Sequence, residues 1–245
     1  MHCRVRPVHF IRFVDESATD KLKFDSVVFV HGLTGHQLNT WKSRDARDAW
    51  IQTLLPSEVP NVRVIAFGYN ADVAGRQVSQ NTIRDHGRDL ILDLRHLRQR
   101  DGTSHRPLFF VCHSLGGLVV EDAMVYAERR PETDLARSAF YDNIQAIMFL
   151  GTPHRGTDLH RGVAVFRSLS SFVAQTNRSL VGVLDSESEV LSNLLDGFQN
   201  IVQSLPVDRR LKITCFAEEF ETPRIGLVCF PNRVCFLVYD PLTAG

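Results

Sequence analysis

No charge imbalance marks this sequence: its 245 residues carry 28 Lys and Arg against 28 Asp and Glu, a formal net charge of zero. A nucleic-acid binder usually shows a basic excess or a basic stripe. Neither is visible, so no nucleic-acid partner is expected. Cysteine is scarce and odd in number. Cys3, Cys112, Cys215, Cys229 and Cys235 have neither metal-ligand spacing nor the look of a disulfide framework. Cys112 and Cys215 lie inside apolar runs and read as small buried residues, a usage that suits a reducing, intracellular compartment. No apolar run approaches the roughly 20 residues that a membrane-spanning helix needs. The N-terminal segment is broken by Arg12, Asp15 and Glu16, too polar for the apolar heart of a signal peptide. Peripheral membrane association stays open. Internal repeats and low-complexity linkers are missing too, so the chain reads as one domain over 1–245.

What is present is an alternation of apolar runs with amphipathic stretches, the pattern of a parallel sheet wrapped by helices. Ser26–Val30, Val62–Phe67, Leu108–Cys112, Ile144–Leu150 and Leu211–Phe216 are rich in Val, Ile, Leu and Phe. They suit strands buried on both faces. Val8–Val14 is a further strand candidate at the N-terminal edge. Ile83, Leu90, Ile91, Leu94 and Leu97 share one helical face. Leu118–Tyr126 reads as a second helix, stopped by Arg129-Arg130 and Pro131, and Val190, Leu194, Phe198, Ile201 and Leu205 form a third stripe. The expected fold is α/β: a mainly parallel, doubly wound sheet with helices on both faces. The irregular segment Gly156–Val183 is either a cap over a site or a surface helix pair.

Chemistry concentrates at the strand ends. Leu108–Cys112 runs into His113-Ser114-Leu115-Gly116-Gly117 and then into a helix. Strand, sharp turn and helix in this order make the nucleophile elbow of the α/β-hydrolase fold, with Ser114 exposed above the sheet at the positive end of the helix. Gly116 and Gly117 let the helix approach the strand. Cys112 replaces the first glycine of the G-x-S-x-G pattern with another small residue. The competing reading of Ser114 is a helix cap. Acyl transfer also needs donors for the developing oxyanion. Val27–Val30 ends in His31-Gly32-Leu33-Thr34-Gly35, the loop that supplies one such donor, so the expected pair is the backbone N–H groups of Leu33 and Leu115. His31 precedes the nucleophile, whereas this topology runs Ser, acid, His. It is therefore read as ordering the loop by hydrogen bonding.

After Ile144–Leu150, the loop Gly151-Thr152-Pro153-His154-Arg155-Gly156 should border the pocket. There Thr152 or His154 either positions substrate or fixes the loop, with His154 as base a third possibility. Leu211–Phe216 leads to Ala217-Glu218-Glu219, at a strand end where a catalytic acid belongs. Glu218 is the candidate and Glu219 the alternative, against the plain reading of solvated charge.

Together these motifs resemble one family. Val28-Phe29-Val30-His31-Gly32-Leu33-Thr34-Gly35 with Thr40-Trp41, Val64-Ile65-Ala66-Phe67-Gly68-Tyr69, Cys112-His113-Ser114-Leu115-Gly116-Gly117 and Gly151-Thr152-Pro153-His154-Arg155-Gly156 are similar to serine-active-site-containing α/β-hydrolases. Cys215-Phe216-Ala217-Glu218-Glu219 continues the likeness. It is nearest to a fungal branch in which this fold heads NACHT or repeat-containing signalling proteins. The resemblance spans about 24–228. It implies a lipase- or esterase-like hydrolase acting on a small-molecule ester or lipid without a cofactor. It also implies an intracellular setting, cytoplasmic or associated with mitochondrial or endoplasmic-reticulum membranes.

Relatives take their base from a histidine in a loop beyond the position of Val228. In this sequence the last histidine is His160, and residues 229–245 read as a truncated or altered terminus. Three expectations follow: an active serine hydrolase with a relocated base, a hydrolase-fold chain with impaired turnover, or a non-catalytic effector or interaction module of a signalling protein.

Overall fold

Five parallel strands and one antiparallel edge strand form a single sheet in the order β1-β3-β2-β4-β5-β6. The strands are β1 (Phe10–Phe13), β2 (Asp25–Val30), β3 (Val62–Phe67), β4 (Leu108–His113), β5 (Ile144–Leu150) and β6 (Lys212–Phe216). The computed structural model describes residues 10–13, 25–32, 35–59, 62–69, 83–152 and 181–216. Within the N-terminal strand candidate Val8–Val14, Phe10–Phe13 form β1, antiparallel to β3, and positions 8, 9 and 14 lie outside the described residues.

Alternation along each strand sorts side chains onto two faces. Val28, Val30, Ile65, Phe67, Phe110, Cys112, Ile147 and Phe149 pack on one side under α2 (Ile83–Arg100), α3 (Leu115–Glu128) and a long helix Val181–Ser204, α5 once the short α4 (Leu135–Ala139) is counted. Phe29, Val64 and Ala66 point the other way, onto Trp41, Ala49 and Ile51, the last in α1 (Trp50–Glu58). Helices thus cover both faces, as a doubly wound sheet requires.

α3 explains why its apolar stripe was hard to bound. It lies between the sheet, α2 and α5 and is buried almost all round, Gly116 through Glu121 included. It therefore starts three residues before Leu118 and runs two beyond Tyr126. α1 had no legible stripe because Ile51 is buried while Trp50 and Leu54 are exposed, and Pro56 sits inside the helix. Its start is held instead by the Gln52 side chain, whose Oε1 accepts from the Ala49 N–H at 3.3 Å.

Cys112 is fully buried, but Cys215 is only half-buried because β6 stands at the edge of the described sheet. Both are free thiols. Of the segment Gly156–Val183, positions 181–183 begin α5. Residues 156–180 and 229–245 lie outside the described residues.

Candidate active site

Register brings the strand ends together. Phe67, Val30, Cys112, Phe149 and Cys215 pair across five strands. The next residues of each strand, Gly68-Tyr69, His31-Gly32, His113-Ser114 and Leu150-Gly151, consequently emerge side by side at the C-terminal edge, where ligands of open α/β sheets bind.

Ser114 is the turn between β4 and α3, with φ 51° and ψ −125°. Among the described residues no other non-glycine has a positive φ. Such a conformation is nearly reserved for glycine and costs about 1–3 kcal/mol, so the surroundings must hold it. They do so through the backbone. The Ser114 N–H donates to the Leu150 carbonyl at 2.8 Å, and the Ser114 carbonyl accepts from the Gly117 N–H and the Thr152 hydroxyl, both at 3.1 Å. The Ser114 side chain makes no capping hydrogen bond although it occupies the cap position. That counts against the helix-cap reading and leaves the hydroxyl for other use.

Close packing at the elbow depends on absent side chains. A Cβ at Gly116 would overlap the carbonyl oxygens of Val30 and His31, and one at Gly117 would overlap the Thr152 side chain. A Cβ at Gly32 would stand 2.7 Å from Ser114 Cβ and 2.9 Å from the His113 carbonyl oxygen. The turn after β2 is pressed against Ser114 for that reason. Leu115 is the first residue of α3, where a backbone N–H has no partner inside the helix and the dipole favours negative charge.

His31 is 1% exposed. Its Nδ1 lies 2.9 Å from the Gly32 carbonyl oxygen, and its Nε2 accepts from the Tyr69 N–H at 3.4 Å. The neutral Nδ1–H tautomer satisfies both contacts. Burial holds the ring's pKa down at about 4, against a smaller upward pull from the Gly32 carbonyl and with small downward contributions from His36, His86 and His113. A ring so engaged orders the loop. The His113 ring stands edge-on to Trp41 at 6.3 Å, on the α1 side of the sheet. Thr152, 1% exposed, ties the loop after β5 to the elbow.

Ser114, Leu115, His31, Gly32, His113 and Thr152 are therefore gathered at one edge of the sheet. Leu33, His154, Glu218 and Glu219 lie outside the described residues. β6 does end where the acid loop would begin, the Phe216 carbonyl accepting from the Gly151 N–H at 2.9 Å. Sequence reading gave Tyr69 only as the end of a family-like run, with no role at the site, and passed over His86: Tyr69 stacks on His31 at 4.4 Å, and His86 meets the Tyr69 ring at 4.5 Å. The available signal was Tyr69's place just after a buried strand adjacent to the His31-Gly32 turn.

Comparison with known proteins bears on family and fold. Protein SERAC1 of Danio rerio is 26% identical over 226 residues, covering 84% of this chain and 32% of that protein. Protein SERAC1 of Homo sapiens is 25% identical over 215 residues, covering 80% and 30%. The chain thus spans about a third of the length of the curated relatives it matches. Among solved structures, the mature form of the Bacillus licheniformis lipase BlEst2 superposes with a TM-score of 0.52 at 19% identity, over 89% of this chain and 74% of that one, a likeness of fold. Residues 20–204 match the family described as "Putative serine esterase (DUF676)". With that match over most of its length, the chain belongs to this DUF676 family, and its fold is that of an α/β-hydrolase.

Proposed function

We propose that the chain is an esterase-type acyl hydrolase whose nucleophile is Ser114, acting on small ester or lipid substrates without a cofactor. The observation that carries the reading is the strained, backbone-held Ser114 with a hydroxyl unused by the helix it caps. The Ser114 Oγ attacks the ester carbonyl and gives up its proton, the alcohol leaves with a proton, and water then releases the acid from the acyl-enzyme. Backbone N–H groups of Leu115 and Leu33 bind the oxyanion, Glu218 is the acid, and His113, Thr152 and His154 border the pocket. The lipase fold of the Bacillus neighbour supports a lipid-like ester as the substrate class.

Within these 245 residues turnover is slow. Both ring nitrogens of His31 are engaged, His96 and His105 are exposed on α2 and in the turn before β4, the far end of the sheet, and no histidine follows His160. His154 would act as base only in an unusual geometry. Loss of the triad histidine in a comparable enzyme costs about 10⁶-fold in kcat, leaving about 10³–10⁴-fold over water. The 245-residue chain should therefore hydrolyse p-nitrophenyl butyrate close to background. Grafting the histidine-bearing terminus of a family relative after Val228 should raise the rate at least about 10²-fold, and Ser114→Ala should abolish the gain. A folded graft with no gain would favour the non-catalytic interaction module, as in the fungal signalling branch, over an esterase.

We also place the chain inside the cell, cytoplasmic or attached peripherally to a mitochondrial or endoplasmic-reticulum membrane. No helix among the described residues is long and apolar enough to cross a membrane. Alkaline carbonate should release any bound fraction, and resistance to it would contradict this placement.

A further inference from the structure

Beside the elbow, a short relay of polar contacts sets the orientation of two peptide units. The Tyr69 hydroxyl donates to the His31 carbonyl at 2.8 Å, and the Tyr69 N–H donates to the His31 ring at 3.4 Å. That ring in turn reaches the Gly32 carbonyl at 2.9 Å, which also accepts from the Gly35 N–H at 3.1 Å. The Tyr69 ring is itself clamped. It lies nearly parallel to His31, with centroids 4.4 Å apart and planes 7° off, and it packs on Phe67 at 5.7 Å and His86 at 4.5 Å.

A trans peptide is planar, so the direction of a carbonyl fixes that of the N–H across the same bond. The two carbonyls held here, those of His31 and Gly32, belong to the peptide units of the turn that presses on Ser114. We propose that Tyr69 is a positioning residue for oxyanion binding, setting the His31 and Gly32 peptide units so that a backbone N–H of this turn is pre-aimed at the substrate oxygen. This inference rests on the reading of Ser114 as nucleophile.

Packing alone does not call for a hydroxyl at this position. Phe67, His86 and His31 present ring faces that phenylalanine would meet as well as tyrosine does. The hydroxyl serves the His31 carbonyl, an oxygen that also lies against the start of α3 at Gly116. Burial, with a lesser contribution from Cys112, pushes the Tyr69 phenol well above its ordinary range, so it remains a donor wherever the protein is folded. Oxyanion donors contribute by being aimed before charge develops, and removing one outright costs about 10²–10³-fold. Loosening its aim should cost less, roughly 10-fold.

The test is saturation kinetics of an alkyl fluorophosphonate on the 245-residue chain, which separates the covalent rate constant from reversible binding. The phosphoryl oxygen of the probe occupies the oxyanion position, so the covalent step reports on donor alignment. Tyr69→Phe should lower that rate constant about 10-fold with unchanged reversible binding and a nearly unchanged melting temperature. Tyr69→Leu removes the ring stack as well. It should share the rate loss and also melt lower, which separates positioning from packing. A wild-type covalent rate in either folded variant overturns the role of Tyr69 while leaving Ser114 standing. Labelling that survives Ser114→Ala overturns the nucleophile reading and this inference with it.

Discussion

The hydroxyl of Thr152 donates to the main-chain carbonyl of Ser114 over 3.1 Å, so the loop leaving β5 holds the turn leaving β4. Thr152→Val keeps the volume and the β-branch but removes the donor. Among the described residues the Ser114 carbonyl then retains the Gly117 N–H, and the expected loss is about 1–2 kcal/mol. Urea unfolding measures it, and a variant as stable as wild type would show that the bond does not hold the elbow.

Backbone strain at Ser114 predicts an inverted ranking of two substitutions. At φ 51° and ψ −125° alanine inherits the strain and glycine escapes it. Ser114→Gly should be more stable than Ser114→Ala by about 1 kcal/mol, even after the extra chain entropy glycine loses on folding. Equal melting temperatures would mean the elbow stores no strain.

Gly116 lies in the first turn of α3, where helix propensity alone favours alanine by about 1 kcal/mol. The site reverses the sign, because a Cβ there overlaps the carbonyl oxygens of Val30 and His31, backbone atoms that cannot swing aside. Gly116→Ala should destabilise by about 2–3 kcal/mol. A neutral or stabilising result would contradict the close approach of helix and strand.

His31 sets a pH dependence. Above pH 6.5 folded and unfolded chains both hold this ring neutral. As the pH falls below 6.5 the unfolded chain gains a proton there, while the folded chain does not until near pH 4, so stability drains away across that window. By pH 5 the loss from this residue is about 2 kcal/mol. Comparing wild type with His31→Gln isolates the contribution: the variant's stability should fall less between pH 7 and pH 5, and parallel curves would refute the buried neutral ring.

How much of this was legible depended on whether the deciding contact was local. The four inner strands were readable because their apolar residues cluster where both faces are buried, as at Val64–Phe67 in β3. Ser114 was readable because strand, turn and glycines are consecutive. α1 was not, since its burial falls on Ile51 rather than along a stripe, and its cap is an alanine backbone served by Gln52. Tyr69 was not either. Its value lies in touching His31, 38 positions away, and nothing in the local pattern announces that partner.

The central claim is that Ser114 is the acylating residue but is poorly activated in these 245 residues. Peptide mapping of the intact chain after timed exposure to an excess of fluorophosphonate tests it most directly. The account predicts a single adduct, on Ser114, accumulating slowly and absent from Ser114→Ala. An adduct on any other residue would contradict the assignment of the nucleophile, and saturation of Ser114 within seconds would contradict its poor activation.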